Sequence, residues 1–299
     1  MKFEYRVLDN SIDITKKQIE DFDIISIGSE GCVHKIAELK KAITLSRELE
    51  IAGKEFSFIT PKVPQKYMQP LLTYISKLIN ENENISIVFN DLGLLEGCKH
   101  NKVLPNKAII GRGISRTFEE CLWYEHILRD ETDINKRTII QNNMYDTNKS
   151  EFFSCYNVKG IECNMLKNQE ESHRNLSKMG YELNLHYRYI TTAFSRACQT
   201  ARYFKSSVPN CTDKCRKGIE LNMKNVWTRD ITLSTEEIDM DMELKKLNPR
   251  FILMGNVLMR KTDIAFEQIN YNNIHSIILD ARLVSSDEMY TFREGIRNG

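Results

Sequence analysis

The chain has 299 residues, 41% of them hydrophobic and 28% charged, and a net charge of +1. That composition excludes a disordered chain, and the near-neutral balance excludes a strong global field for nucleic acid or an anionic membrane. No stretch approaches the roughly 18 apolar residues of a membrane span, and Met1 to Glu20 lacks an apolar h-region. The expectation is a cytoplasmic protein whose 8 cysteines are reduced, buried or metal-bound rather than paired.

The elements follow in order. Phe3 to Leu8 reads as a leading strand, and Phe22 to Gly28 as a buried strand ended by a glycine, with the polar turn Ser29-Glu30-Gly31-Cys32 after it. A helical pattern runs from about Ile36 to Ile51 and stops at Gly53. Phe56 to Thr60 is the second strand of the alternating series, and Leu71 to Ile79 a helix with Leu72, Ile75 and Ile79 on one face. Ile85 to Phe89 is the third strand, running into Asn90-Asp91-Leu92-Gly93 and a short helix over Leu94 to Lys99. Ala108 to Ile110 is the fourth, followed by Gly111-Arg112-Gly113. A variable polar excursion occupies about 118–150.

Ile161 to Cys163 gives a fifth strand, Asn168 to Met179 a helix, and Leu183 to His186 a sixth strand. A cysteine-rich loop comes next, then a β-hairpin region over Gly218 to Leu233. Phe251 to Asn256 and His275 to Asp280 read as two more strands, and Ser286 to Ile296 as a closing helix. Short apolar strands alternating with amphipathic helices predict an α/β fold, a single β/α barrel of the TIM type, with an open doubly wound sheet as runner-up.

The chemistry concentrates in the loop after the sixth strand. Cys198, Cys211 and Cys215 fall at a C-x12-C-x3-C spacing among Arg196, Arg202, Lys205, Lys214 and Arg216. Cationic neighbours lower a thiol's pKa, and a metal ligand must be the thiolate. In a β/α barrel the working residues follow the C-terminal ends of strands. That rule supplies Cys32 as a fourth ligand at the same rim. Four cysteines suit Zn²⁺ or a 4Fe–4S cluster, and three unrelated thiols remain open beside both. Cys163 is the substitute ligand. Cys98, Cys121 and Cys155 read as core or surface thiols.

The same rule collects Glu30, Asp91, Arg112, Arg116, Glu162 and His186 at the barrel mouth. Arg112 and Arg116 suit an anionic substrate, since arginine forks bind carboxylates in bidentate fashion; a solvated turn is the alternative. Glu162 and His186 are candidate catalytic residues. Asp91 is either catalytic or the cap of the helix after it. No Ser/His/Asp order, nucleophile elbow, H-E-x-x-H or Walker loop is present.

Ser195-Arg196-Ala197-Cys198-Gln199-Thr200-Ala201-Arg202 with Cys211 and Cys215 resembles the cluster-binding segment of the collagenase-like peptidase superfamily, peptidase family U thirty-two. Gly28-Ser29-Glu30-Gly31-Cys32, Asn90-Asp91-Leu92-Gly93 and Ile161-Glu162 are similar to its motifs after three strands, so the likeness runs from about Asp23 to Gly299. The resemblance implies a barrel and a 4Fe–4S cluster on Cys32, Cys198, Cys211 and Cys215. It also implies oxygen-independent hydroxylation of ubiquinone precursors or RNA bases, an anionic co-substrate such as prephenate as oxygen donor, and a sister subunit in a heterodimer. The stretch from Gly111 to Thr117 and the polar excursion depart from the family. The competing expectations are a non-catalytic Fe–S partner and a metal-dependent peptidase or hydrolase.

Overall fold

The computed structural model describes residues 1–206, 211, 213–222, 250–262, 264, 270 and 272–298. Eight parallel strands close into a barrel: β1 (Lys2–Val7), β2 (Ile24–Gly28), β3 (Glu55–Ile59), β4 (Ser86–Phe89), β5 (Lys107–Ile110), β6 (Val158–Asn164), β7 (Glu182–His186) and, late in the chain, β12 (Ile274–Asp280). Ring closure runs through β1, which pairs with β2 and β12 alike, Tyr5 lying opposite both Ile25 and Leu279. The leading strand of the sequence reading is therefore a barrel strand, and the cysteine segment follows the seventh strand, not the sixth.

The pleat explains the closure. Residues two apart share a face, and one face of each strand is apolar. Phe3 and Tyr5, Ile25 and Ile27, Phe56 and Phe58, Ile87 and Phe89, and Leu183 and Leu185 join one large core with the helices outside. These helices are α1 (Lys16–Asp21), α2 (Leu39–Ile51), α3 (Met68–Glu81), α4 (Leu92–His100), α8 (Glu170–Lys178) and α10 (Ser286–Asn298). Leu49 of α2 and Ile75 and Leu78 of α3 are fully buried there, each worth about 1.5–3 kcal/mol of transfer free energy. The inward face differs. Leu8, Ile59, Val88 and Ile109 form a small apolar plug, and beside it stand buried Glu4, Arg6, Ser26, Glu162, Asn184, His186 and Ser276.

Between β5 and β6 the polar excursion folds into α5 (Tyr124–Ile127), α6 (Asp133–Ile139) and α7 (Thr147–Ser154), short helices that Thr132 and Asp146 cap at α6 and α7. Between β7 and β12 lies a second sheet in place of a plain loop. Its antiparallel strands run β8 (Tyr189–Phe194), β11 (Val257–Lys261), β10 (Arg250–Met254), β9 (Ile219–Asn222). Of Phe251 to Asn256, expected in the barrel, Phe251 to Met254 belong to β10 of this sheet, and Gly255 and Asn256 form the turn to β11. Of the expected hairpin over Gly218 to Leu233, residues 219–222 form β9, which pairs with β10; 223–233 lie outside the described residues. Among the described residues no helix is long and apolar enough to cross a membrane.

Candidate metal centre and the barrel mouth

Gly28 ends β2 at φ +135, and a Cβ there would sit 2.1 Å from the Ile59 carbonyl oxygen. Only glycine lets the chain turn so close to β3. The turn delivers Ser29, Glu30, Gly31 and Cys32 to the rim. The Ser29 hydroxyl accepts from the Cys32 N–H at 2.9 Å.

The structure brings the four cysteines together from three segments. Cys32, Cys198 and Cys211 line one cavity of about 340 Å³, and Cys215 is buried within electrostatic reach of Cys32 and Cys198. All four are free thiols. Cys198 stands at the start of α9 (Gln199–Tyr203), where its Sγ accepts from the Ala201 N–H at 3.3 Å. Cys211 Sγ accepts from the Asp213 N–H at 3.4 Å, and Cys32 accepts from the His34 N–H. The second sheet braces this group. Thr200 N–H donates to the Gly255 carbonyl at 2.9 Å, and Gly255 N–H returns a bond to Thr200 Oγ1 at 3.0 Å. Asn256 in the same turn packs on Gly31, where a Cβ would lie 2.1 Å from Asn256 Oδ1.

Burial pushes the Cys215 thiol up to about 11 despite the Lys35 ammonium beside it. Burial also raises Cys32, and Cys198 and Cys211 add to that shift. Both are neutral at pH 7 until something cationic replaces the protons. No three of these sulfurs lie within 4.8 Å of one another among the described residues. A tetrahedral zinc with bonds of ~2.3 Å needs sulfurs about 3.8 Å apart. Cys163 is a core thiol, raised by burial to about 12 and contacted by Asn142 Nδ2 at 3.8 Å. Cys98 is buried in the core too, Cys155 is exposed, and Cys121 is half-buried.

The cavity beside the cysteines carries Lys62, Lys66, Arg196 and Arg202, and no carboxylate among its described lining residues. Its wall includes Asn256, 5% exposed, whose Oδ1 has no hydrogen-bond partner. Burial lowers the pKa of Lys62; the Asp91 carboxylate opposes that shift, and Arg196 and Arg116 add to it.

Four of the remaining expected residues, Glu30, Arg112, Glu162 and His186, form a sealed network inside the barrel. Arg112, expected to bind an anion, is 1% exposed. Its Nε and Nη2 grip the two oxygens of Glu30 at 2.8 and 2.9 Å, and Nη1 donates to the Tyr189 carbonyl at 2.9 Å. The sequence misses this pairing because the partners are 82 residues apart; both were placed at the mouth but not against each other. Arg6 donates to Glu4 through Nε at 2.7 Å, and its Nη2 is shared between Glu4 and Glu162. Glu162 Oε2 accepts from His186 Nε2 at 3.0 Å. Arg282 holds Asp280 at 2.6 Å.

The electrostatics balance. Burial raises Glu4 toward its neutral form. Burial also pulls Glu162 up, but Arg6 and then His186 outweigh it and hold the carboxyl far below the usual range. Arg112 does the same for Glu30, and Arg282 for Asp280. Three ionised carboxylates thus face three guanidiniums. His186 is pushed down to about 4, first by burial and then by Arg112, and stays neutral. Glu30, Glu162 and His186 offer ligand atoms within 4.8 Å of one another, yet both carboxylates already hold guanidiniums, and Arg6 and Arg112 would repel a cation. Asp91, 2% exposed, caps α4: its Oδ1 accepts from Gly93 and Leu94 at 2.9 and 3.3 Å. Its Oδ2 takes Val63 N–H at 3.2 Å and Arg196 Nη2 at 3.1 Å. Both Asp91 oxygens are engaged within the protein. Arg116, the most accessible of the set, pairs with Glu120 and donates to the Thr192 carbonyl at 2.8 Å.

No protein-family model matches the chain, and no curated protein matches it. Among solved structures it is similar to the dihydropteroate synthase of Xanthomonas albilineans, at 11% identity over 70% of this chain and 77% of that one, with a TM-score of 0.31. A likeness of that degree carries no argument.

Proposed function

We propose that the chain is a 4Fe–4S protein whose cluster is held by Cys32, Cys198, Cys211 and Cys215, and that it takes part in an oxygen-independent hydroxylation or related modification with a partner subunit. The observation that carries the cluster is the meeting of four reduced cysteines at one rim, three of them receiving backbone N–H bonds at sulfur. Hydrogen bonds to sulfur are among the features that tune such clusters. No three of the sulfurs lie within 4.8 Å of one another among the described residues, which suits a polynuclear cluster better than a single zinc. A cluster there would supply one-electron transfer. The chain's own residues would hold it, shield Cys215 and balance its negative charge with Lys35 and the cavity cations. An anionic co-substrate would meet Lys62, Lys66 and Arg202, because Arg112 is engaged by Glu30 and Arg196 by Asp91.

A second reading has a specific observation in its favour. Four cysteine ligands leave no open iron site, and Glu162, His186 and Arg112 are sealed from solvent. Both facts suit an electron-transfer or structural partner that performs no chemistry at the barrel mouth.

The test is iron and acid-labile sulfide analysis of the anaerobically reconstituted chain, with each of the four cysteines changed in turn to serine. The expected result is about four irons per chain with broad visible absorbance, lost in each variant. A colourless protein with stoichiometric zinc overturns the reading.

A further inference from the structure

We infer that Lys35 is the positioning residue that joins the two halves of the cysteine site, tying the Cys211–Cys215 segment to the Cys32 loop and setting a buried positive charge beside the sulfurs. The inference rests on the cluster reading above and extends it to a residue outside the ligand set.

Lys35 closes the short 3-10 turn Val33–Lys35 that begins at Cys32, and its backbone N–H donates to the Cys32 carbonyl at 3.1 Å. Its side chain is 10% exposed, unusual for a lysine, and such burial requires partners. It has two. Nζ bonds Asp9 Oδ2 at 3.0 Å, in the connection after β1, and it pairs with the carboxylate of Asp213. Asp213 stands between Cys211 and Cys215 with a left-handed backbone at φ +55. That conformation aims its N–H at Cys211 Sγ, and its Oδ1 lies 3.8 Å from Cys215 Sγ, accepting from the thiol in the metal-free chain, a bond given up when Cys215 becomes a thiolate ligand. One ammonium thus holds the residue that touches both late cysteines, while its own backbone is fixed to the early one.

Arg216 reinforces the joint. It pairs with Asp213, and its Nε lies 3.9 Å from Asp9, but it is half exposed and so more screened than Lys35. The charge itself has a second effect. Lys35 lies within electrostatic reach of both Cys32 and Cys215. A cation there favours the more negative, reduced form of any cluster these sulfurs hold. Partners that orient metal ligands typically matter almost as much as the ligands themselves.

Lys35→Met, Lys35→Arg and Asp213→Asn in the anaerobically reconstituted full chain test this. Lys35→Met is expected to release iron to a chelator roughly 10–100-fold faster than wild type and to lower the midpoint potential; Lys35→Arg restores both. Asp213→Asn cuts the joint from the other side. Combining it with Lys35→Met costs less than the sum of the two single losses, because both remove the Lys35–Asp213 pair while each also removes one contact of its own, to Asp9 and to Arg216. Should Lys35→Met fail to fold by far-UV circular dichroism, Asp213→Asn alone decides through the same release rate. Wild-type iron retention and an unshifted potential in the folded variants overturn the inference and leave the cluster reading standing. A wild-type chain that takes up no iron overturns both.

Discussion

The barrel mouth and the cysteine module lie side by side at one rim and solve opposite problems. At the mouth, Arg6, Arg112 and Arg282 face Glu162, Glu30 and Asp280, and each ion has its partner at hydrogen-bond distance. Around Cys32, Cys198, Cys211 and Cys215 the thiols have no covalent partner, and the neighbouring cavity gathers Lys62, Lys66, Arg196 and Arg202, of which Arg196 is paired, with Asp91 behind the wall. Buried charge that is fully paired fixes a structure. Soft donors with no covalent partner, three of them receiving backbone N–H bonds, are what the proposed cluster would need. Charge density alone therefore misdirects; the state of pairing separates scaffold from site.

The largest effect should come from breaking the pairing. Arg112→Met strands Glu30 in the barrel and is expected to cost about 3–5 kcal/mol, read as a shift in the urea midpoint. Adding Glu30→Gln should recover a good part of it. A loss below about 1 kcal/mol would mean that Arg112 is available to an anion after all.

Acid should act on the same network. His186 and His173 are buried and neutral, each pushed down to about 4 by burial first. Between about 6.5 and 4 the unfolded chain binds more protons than the folded one, so stability falls as pH falls through that window. Glu162 adds to this below its usual carboxylate range, since its folded pKa is depressed. The melting temperature should drop steadily from pH 6.5 to 4, and His186→Gln should flatten the slope. The cysteine module should respond the other way to alkali. With Cys215 pushed up to about 11, iron loading must release protons and should be faster at pH 8.5 than at pH 7.

Much of the barrel was legible because strands and helices carry different periods, and the strand-end rule placed Cys32 at the rim that also receives Cys198. The second sheet was not legible. Tyr189 to Phe194 begins three residues after β7 ends, with Arg188 at φ +62 making the turn. A non-glycine residue in that conformation gives no turn signal. The pairings across the barrel were also hidden. Arg112 reads as an exposed fork in a glycine turn, and only the closed ring shows that its nearest anion is Glu30. The sequence does not single out Lys35 at all. A lysine three residues after Cys32 has meaning only once Asp213 is known to face it.

Asp91 joins the two regions and gives the smallest effects. It caps α4 and also receives Arg196 from the cysteine segment. Asp91→Ala should cost ~1 kcal/mol for the lost cap, with somewhat faster iron release because Arg196 loses its anchor. Arg196→Gln removes only the ion pair, and the Arg196 side chain is 67% exposed. Its effect on folding should stay within about 1 kcal/mol and fade in high salt. If Arg196→Gln slows iron release or leaves it unchanged while Asp91→Ala speeds it, the cap and not the ion pair holds this side of the module in place. Lys35 and Asp213 would then be its principal electrostatic fastening to the barrel.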